Sequence, residues 1–296
     1  MGVGRLCGMT VRGQSPTVRR RRLGMELKRL REAAGFTCES AGAPLEWSAS
    51  KVSRIENGRS TLRARDVRDL LEVYGVDNPA IAEGLLALLR DSAQRGWWSS
   101  YGDVMPDTYR TLIGLEGEAA SIWSYEGELV TGLLQTEDYA RALIRATELS
   151  DTPDEIDRRV AVRMARQEIL DRPDAPRLWA VMNEAVLRRP VGGSKVMKAQ
   201  LQYLAVIAER PNVDVQVLPF SEGAHPAMAG PFLQLKFADP GDPDVTYLEN
   251  ARGGLWLEKT SETDRYTLMF EHVRARALSP DQSIAFILRA AEEMDG

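Results

Sequence analysis

The sequence is poor in the side chains that build disulfide frameworks and tetrahedral metal sites. Its 296 residues include only two cysteines, Cys7 and Cys38, with no CxxC pair, and only two histidines, His225 and His272. A structural zinc site takes four nitrogen or sulfur ligands at short spacings, and a small disulfide scaffold takes several cysteine pairs. We therefore expect neither a structural metal nor a bound cofactor.

Long hydrophobic runs are also missing. No stretch approaches the roughly 18 apolar residues that a membrane span requires, and the N-terminus carries charge without the apolar core of a signal peptide. We expect no membrane association and a cytoplasmic location. Hydrophobic residues make up 44% of the chain and charged residues 27%, which excludes wholesale disorder and fibrous proteins.

The net charge of −5 conceals two parts of opposite sign. Residues 1–92 hold 16 Lys and Arg against 11 Asp and Glu, whereas residues 93–296 hold 22 against 32. The front of the chain is therefore +5 and the rest is −10. Because a basic module joined to an acidic one is interpreted part by part, a polyanionic partner is expected at the front.

The length predicts two domains, and the apolar periodicity places their boundaries. We predict a flexible tail at residues 1–16, a helical domain at 17–92, a linker at 93–110 and a second domain at 111–296. Leu23, Leu27 and Leu30 form one stripe of a first helix that begins near residue 17. Further helices of this domain are predicted at residues 37–43, 48–56, 63–74 and 79–90.

The second domain mixes helical and strand periodicity. Helices are predicted at residues 113–125, 137–148, 153–170, 195–209, 261–277 and 280–294. Short runs rich in branched and aromatic residues predict strands at residues 178–186, 213–218, 232–237, 245–249 and 255–258. The expected fold class is therefore multidomain, an all-α N-terminal domain followed by an α+β C-terminal domain.

Two short helices joined by a tight turn are the geometry with which helix-turn-helix proteins read the major groove. The helix at residues 37–43, the turn at 44–47 and the helix at 48–56 fit that arrangement. Val52 and Ile55 are expected to face inward. The predicted DNA-binding residues are Thr37, Ser48, Ala49, Ser50, Lys51, Ser53, Arg54, Asn57 and Arg59.

Lys51 and Arg54 are expected to contribute most to binding. Arg54 can form bidentate hydrogen bonds to a guanine edge, whereas Lys51, a flexible point charge, fits a phosphate equally well. The arginines at residues 19–22 either contact phosphates or form a solvated helix face. Glu56 is expected to form a salt bridge to a neighbouring arginine, which fixes the helix.

Pro44 and Glu46 depart from the usual form of this motif. A proline in a helix interior costs about 3 kcal/mol, so the first helix is predicted to stop by Ala43. Glu46 stands where a turn glycine is common and should resist a left-handed conformation.

Residues 48–59, with the sequence SASKVSRIENGR, resemble the recognition segment of Xre-type helix-turn-helix regulators. Later stretches are similar to the uncharacterised domain that is fused to such modules in actinobacterial antitoxin-like transcriptional regulators. They are residues 125–126 (YE), 132–142 (GLLQTEDYARA), 210–213 (RPNV), 216–220 (QVLPF) and 223–226 (GAHP). The resemblance implies transcriptional control, with a small protein encoded nearby as a partner.

A candidate ligand or partner pocket consists of Glu184, Arg188, His225 and Glu249. The three charged residues flank or lie on predicted strands, and they are equally compatible with solvated charges of edge strands. His225 lies in a loop, where it is either a general base or ligand contact, or a turn histidine bonded to backbone. Because no pair of nucleophile and base is identifiable, we do not expect an enzyme.

The sequence therefore predicts a sequence-specific DNA-binding transcriptional regulator that is controlled through its second domain by a small protein partner or ligand. It is expected to bind double-stranded DNA as a homodimer, because helix-turn-helix modules generally read paired half-sites. Two alternatives stay open. One is an antitoxin-like protein that mainly sequesters a small partner protein. The other is a small-molecule enzyme with an autoregulatory DNA-binding module, in which His225 and Glu184 serve as acid and base.

Overall fold

The chain divides into two compact units, Met1–Gly96 and Trp97–Gly296. The computed structural model describes residues 16–58, 60, 62–92, 97–239, 242–250 and 253–295. The predicted tail up to residue 15, Arg59 of the predicted DNA-binding set and residues 93–96 of the predicted linker lie outside these ranges. Each unit is described by itself below.

The first unit is helical throughout the elements that the structure describes. Its helices are α1 (Pro16–Ala33), α2 (Cys38–Gly42), α3 (Ala49–Glu56), α4 (Ala64–Val73) and α5 (Pro79–Ser92). Each begins and ends within about two residues of its predicted bounds. Helix α1 packs against α3 and α5, and α5 packs against α4.

The predicted apolar stripe of α1 forms the core of this unit. Leu23 and Leu27 are fully buried, and α4 contributes Val67 and Leu70 to the same cluster. Fully burying one such side chain stabilises the fold by about 1.5–3 kcal/mol. The inward position of Val52 and Ile55 on α3 is confirmed as well, because both are buried.

The second unit combines helices with strands, as the predicted fold class requires. Its helices are α6 (Asp107–Glu116), α7 (Glu137–Thr147), α8 (Pro153–Gln167), α9 (Glu184–Arg188), α10 (Ser194–Ile207), α11 (Thr260–Arg276) and α12 (Pro280–Glu292). Its strands are β1 (Ser121–Glu126), β2 (Arg177–Asn183), β3 (Val213–Leu218), β4 (Phe232–Lys236), β5 (Val245–Asn250) and β6 (Gly253–Leu257).

These strands form one mixed sheet of six strands within the described residues, in the order β3-β2-β1-β4-β5-β6. Strands β1, β2 and β3 run parallel to one another. Strand β4 runs antiparallel to β1, and β5 runs antiparallel to both β4 and β6. The chain therefore builds outward from β1 on one side, through β2 and β3, before β4 joins β1 on its other side.

The predicted helix at residues 113–125 is wrong in its second half. Helix α6 ends at Glu116, and residues 121–126 form β1 at the centre of the sheet. Ile122 and Tyr125 satisfied the helical spacing, but branched and aromatic side chains also favour strands. Pairing with β2 and β4 decides between the two states.

Two further boundaries differ from the prediction. The strand predicted at residues 178–186 ends at Asn183, whose side-chain Oδ1 accepts a hydrogen bond from the Ala185 N–H and caps α9. Residues 97–110 of the predicted linker belong to the second unit. Val104 and Met105 are buried there against Ile113 of α6, so this stretch contributes to a core.

None of the helices in the described ranges is long and apolar enough to cross a membrane.

Candidate nucleic-acid interface and second-unit cavity

The connection between α2 and α3 is a tight turn. Helix α2 ends at Gly42, and a short 3₁₀ turn at Ala43–Leu45 accommodates Pro44 near its start. The Trp47 N–H then donates a hydrogen bond to the Gly42 carbonyl at 3.0 Å. A Cβ atom at position 42 would lie 2.4 Å from the Trp47 carbonyl oxygen, so glycine is required there. As predicted, the helix stops before the proline.

Glu46 adopts the left-handed conformation that the sequence argued against, with φ 58° and ψ 33°. It has a positive φ without being glycine, unlike every other such residue in the described ranges. The left-handed region costs an ordinary residue roughly 1–2 kcal/mol. The turn therefore forms at an energetic cost that the surrounding packing offsets.

Helix α3 is anchored at its start and by its inner face. The Ser48 hydroxyl accepts a hydrogen bond from the Lys51 N–H at 3.2 Å, which caps the helix. Val52 and Ile55 are buried beneath it. The opposite face is open to solvent, and its exposed residues are Ser48, Ala49, Ser50, Arg54 and Asn57.

Lys51 and Arg54 differ in how they are held. The Lys51 Nζ lies over the Trp47 ring, 3.4 Å from its centroid, and its side chain is half-buried. A cation over an aromatic face gains about 0.5–1 kcal/mol at an exposed site. Arg54 is exposed, and the structure shows no ion pair for it among the described residues. Arg54 is therefore more available to reach a base edge.

The remaining predicted residues support these helices. Thr37 is the N-cap of α2, where its hydroxyl accepts from the Ser40 N–H at 3.1 Å while the Ser40 hydroxyl accepts from the Thr37 N–H. Ser53, half-buried on α3, accepts a hydrogen bond from the Asn57 amide at 3.4 Å. Thr37 and Asn57 are exposed; Thr37 directly precedes α2 and Asn57 directly follows α3.

Glu56 is bound to Arg31 of α1, which confirms its expected structural role. The Arg31 Nε donates to Glu56 Oε1 at 2.6 Å and Nη2 donates to Oε2 at 3.0 Å. The side chains are only 8% and 4% exposed. The Arg31 Nη1 also donates to the Phe36 carbonyl at 2.6 Å. The hydrogen bond to Glu56 raises the pKa of Arg31, and the pair ties α3 to α1.

Close backbone approach fixes the same contact between α1 and α3. A Cβ atom at Gly24 would lie 2.4 Å from the Glu56 carbonyl oxygen. At Gly58, which has φ +65°, it would lie 3.0 Å from the Arg21 Cα. Arg21 is buried, so it does not belong to a solvated helix face.

Two residues of the predicted pocket, Glu184 and Arg188, pair with each other on α9. Glu184 begins α9, where its Oε2 accepts from the Phe220 N–H at 3.0 Å and its Oε1 accepts from Arg188 Nε at 3.2 Å. Arg188 also pairs with Glu293. Both residues lie on a helix, because the strand before them ends at Asn183. Their charges serve helix packing.

His225 has a different set of neighbours. Its Nε2 lies 3.3 Å from the Tyr125 hydroxyl, and the two rings meet edge to face with centroids 5.5 Å apart. Burial, followed by the nearby charge of Arg276, lowers the pKa of His225. The contact with a tyrosine hydroxyl replaces the backbone contact that the sequence suggested. Nothing in these contacts joins His225 to Glu184.

A cavity of about 520 Å³ lies elsewhere in the second unit. Among the predicted pocket residues, Glu249 lines it, whereas Glu184, Arg188 and His225 are not part of the described lining. Its apolar lining includes Leu112, Val130, Leu143, Ile144, Val162 and Phe232. Its charged lining includes Glu126, Glu148, Arg159, Arg163, Arg166 and Glu249.

Arg166 of α8 lines the cavity and forms a buried ion pair with Glu116. It donates through Nε and Nη2 to the two carboxylate oxygens of Glu116, at 2.6 and 2.5 Å, and through Nη1 to the Tyr109 hydroxyl at 2.9 Å. Although burial alone would lower it, the pKa of Arg166 is raised by Glu116 and Tyr109. Burial alone would raise the pKa of Tyr109, but Arg166 and Arg163 lower it.

Glu126, the last residue of β1, lines the cavity, and its carboxyl group has a raised pKa. Burial, followed by the charge of Glu249, raises the pKa of Glu126 to about 8. The Ser124 hydroxyl donates to it at 3.3 Å, and this hydrogen bond and the charges of Arg166 and Arg163 act in the opposite direction.

Sequence reasoning missed most of this cavity for a physical reason. Glu126 directly follows the stretch that was assigned to a helix, residues 113–125, so its position at the end of a central strand was hidden. A signal was present on α8, where Arg159, Arg163 and Arg166 follow the spacing of one helical face. That face lines the cavity, which the spacing alone does not reveal.

Comparisons with known proteins agree with the two-unit organisation. Residues 109–289, more than half of the chain, match the model of a family described as a domain of unknown function, DUF5753. Residues 22–83 match the model of a helix-turn-helix domain. No curated protein matches the chain. No solved structure matches it.

Proposed function

Because the chain belongs to the DUF5753 family and carries a helix-turn-helix domain ahead of it, we propose that it is a sequence-specific DNA-binding transcriptional regulator. The observation that carries the proposal is the open face of α3. This short helix is capped by Ser48, held from behind by buried Val52 and Ile55, and open to solvent at Ser50 and Arg54. A recognition helix needs this combination of a fixed inner face and reachable polar side chains.

The proposed roles follow from the side chains. Arg54 binds a guanine edge through two hydrogen bonds, and Ser50 contacts a neighbouring base or phosphate. Lys51 contacts a phosphate, either after leaving the Trp47 ring or while its ammonium group stays over the ring. The cation–π energy that it gives up is small compared with the energy of a phosphate contact at low salt. Thr37 and Asn57 position the backbone of the duplex.

The finer assignment is also part of the proposal. We place the first unit among Xre-type regulators of the actinobacterial antitoxin-like group on the strength of residues 48–59 and the later motif stretches. Such a regulator binds chromosomal DNA in the cytoplasm. It reads paired half-sites as a homodimer, because one short recognition helix contacts few base pairs.

The second unit is proposed to control DNA binding without catalysing a reaction. Its acidic charge disfavours contact with DNA, and its cavity of about 520 Å³ falls within the 300–1,000 Å³ that ligand sites occupy. A small ligand or a small protein encoded nearby would set the activity of the first unit. His225 and Glu184, the alternative acid and base, have separate partners.

The proposal is tested by selecting binding sites from random double-stranded DNA with the full chain. We expect one sequence, arranged as an inverted repeat, to be enriched. Arg54→Ala should weaken binding to the selected DNA by about 5- to 150-fold, the equivalent of losing one bidentate base contact.

Arg90→Ala provides the matched control, because it removes the same charge from the exposed end of α5. It should leave the selected sequence and its affinity within about twofold of the native values, since surface changes away from the interface have small effects. Selection that enriches no sequence, or an equal loss in both variants, would contradict the proposal.

A further inference from the structure

The cavity of the second unit lies at one edge of the sheet. Its lining includes Glu126, the last residue of β1, Phe232, the first residue of β4, and Glu249 and Asn250 at the end of β5. Strands β1 and β5 have the same direction, because β4 is antiparallel to both. The cavity therefore opens at the carboxyl ends of β1 and β5.

This edge is where sheets with parallel strands commonly bind ligands. After β1 the chain crosses to β2 and then β3 on one side, and it later places β4 on the other side. In open α/β sheets, ligands commonly bind outside the carboxyl ends of the strands. Glu126 ends β1, and it lines the cavity.

The positive charges of the lining already have acidic or polar partners within the protein. Arg166 is neutralised by Glu116. Arg159 pairs with Asp151 at 2.5 Å. Arg163 donates to the neutral Gln135 side chain at 2.8 Å.

The carboxyl groups of Glu126 and Glu249 are not balanced in this way. The structure shows no salt bridge for either one in the ranges it describes, and the charge of Glu249 raises the pKa of Glu126. Glu126 is half-buried, whereas Glu249 is exposed at the rim of the cavity. Placing one positive charge between them would relieve that repulsion without breaking an ion pair of the protein.

Arg163 of the lining also carries a hydrogen-bond donor that has no partner in the described structure. The Nε atom of Arg163 is buried and has no hydrogen-bond partner. Buried donors are nearly always satisfied, because leaving one unmet costs about 1–3 kcal/mol. Because this atom has no surface open to the cavity, it does not indicate a ligand there; the indications that remain are the two carboxyl groups and the apolar side chains of the lining.

We propose that this cavity binds a small organic amine, with its ammonium group between Glu126 and Glu249 and its apolar body against Leu112, Val130 and Phe232. In the function proposed above, this amine would be the effector that controls DNA binding. The inference rests on that proposed function only for this role. Binding itself belongs to the second unit and is measured without DNA.

The test uses three apolar bodies, each carrying an ammonium, a hydroxyl or a carboxylate on the same ethylene arm. Phenethylamine, tryptamine and 2-(1-naphthyl)ethylamine are titrated into the full chain by calorimetry at pH 7, beside their alcohol and propionate counterparts. We expect at least one amine to bind with a Kd below 5 mM and at least tenfold more tightly than both counterparts. No binding by any amine, or a carboxylate binding as tightly, overturns the proposal.

Matched variants locate the bound ammonium. Glu126→Gln should weaken the amine at least tenfold and Glu249→Gln about threefold, since Glu249 is exposed and screened by solvent. Glu209→Gln removes the same charge from an exposed site outside the described lining and should change the Kd less than twofold. Equal effects of Glu126→Gln and Glu209→Gln overturn the assignment.

Proton release gives a readout from the native chain, which does not depend on any variant folding. Glu126 is largely protonated at pH 7, because its pKa is about 8. An ammonium beside it favours the carboxylate, so binding should release close to one proton at pH 7 and almost none at pH 9. The measurement compares binding heats in buffers of different ionisation enthalpy. Proton uptake, or release that is equal at both pH values, contradicts the site. Either failure leaves DNA binding by the first unit unaffected, because no DNA is present.

Discussion

Arg31 and Glu56 illustrate how a charged residue within a DNA-binding helix can serve structure instead of recognition. Glu56 belongs to α3, yet it points away from the open face and meets Arg31 with two hydrogen bonds. Both side chains are nearly inaccessible to water. Removing one partner of such a pair leaves an uncompensated buried charge, which costs more than the pair contributes as a whole.

Glu56→Ala is therefore expected to destabilise the first unit by about 3–5 kcal/mol. Hydrogen exchange of the α3 amides measures this opening separately from the second unit. Glu26→Ala is the control, because Glu26 pairs with Arg29 at 3.0 Å on the surface, where the Glu26 side chain is 41% exposed and the Arg29 side chain 62%. It should cost less than about 1 kcal/mol. Similar losses of protection in the two variants would show that the buried pair is unimportant.

Glu126 makes the stability of the second unit depend on pH. The ordinary pKa of the side chain is 4.5, and it is raised to about 8 in the folded chain. Between these values the folded chain keeps a proton that the unfolded chain has lost, so the free energy of unfolding falls as pH rises and levels off above about 8. Glu126→Gln should remove this fall.

Urea unfolding at pH 5.5, 7.0 and 8.5 measures the effect. The variant should gain on the order of 3 kcal/mol relative to the native chain between pH 5.5 and pH 8.5. Glu209→Gln, at an exposed site, should follow the native pH dependence. A native free energy of unfolding that is constant or rises over this range would show that Glu126 is ionised.

At the residue scale, the sequence predicted what depends on local pattern. Buried Val52 and Ile55 follow from helical spacing, and the salt bridge of Glu56 follows from an acid placed on a basic helix. Local pattern does not predict which residues far apart in sequence meet, because that depends on strand order. Glu126 and Glu249 come together for that same reason.

The turn between α2 and α3 is the element in which the sequence departs most from the usual motif. Glu46 occupies a left-handed conformation that costs a residue with a Cβ atom about 1–2 kcal/mol. Glycine adopts it without that cost but loses more freedom on folding. Glu46→Gly is therefore expected to stabilise the first unit by about 0.5–1 kcal/mol.

Thermal unfolding and α3 hydrogen exchange measure this gain. Glu46→Gln removes the charge but keeps the Cβ atom, so it separates conformation from electrostatics and should leave stability within about 0.5 kcal/mol of the native value. If glutamine stabilises as much as glycine, the charge of Glu46 is the cause and the strain argument is wrong.

At the element scale, helices with strong stripes were predicted within about two residues, and β1 was not predicted at all. Its apolar residues satisfy both periods, and only pairing with β2 and β4 makes the strand the stable state. The same limit applies to β2, where the side chain of Asn183 ends the strand by capping α9. Local spacing does not contain the pairing energy that decides such stretches.

At the scale of the whole molecule, charge is divided between the two units as the proposed roles require. The basic excess lies in residues 1–92, which contain the helix-turn-helix, and the acidic excess lies in the rest. Binding to a polyanion releases counterions, so its affinity falls with salt in proportion to the number of phosphates contacted. A base contact adds preference for one sequence with less dependence on salt.

The most direct test of the central claim is fluorescence anisotropy on DNA from upstream of the gene for this protein, across a salt series. The native chain should prefer that DNA to a scrambled sequence. Lys51→Ala should weaken both complexes and reduce the slope of log K against log salt concentration by about 1. Arg54→Ala should lose about 1–3 kcal/mol on the upstream DNA and much less on the scrambled sequence. Binding that is indifferent to sequence, or a preference that survives in Arg54→Ala, would contradict the claim that α3 reads DNA.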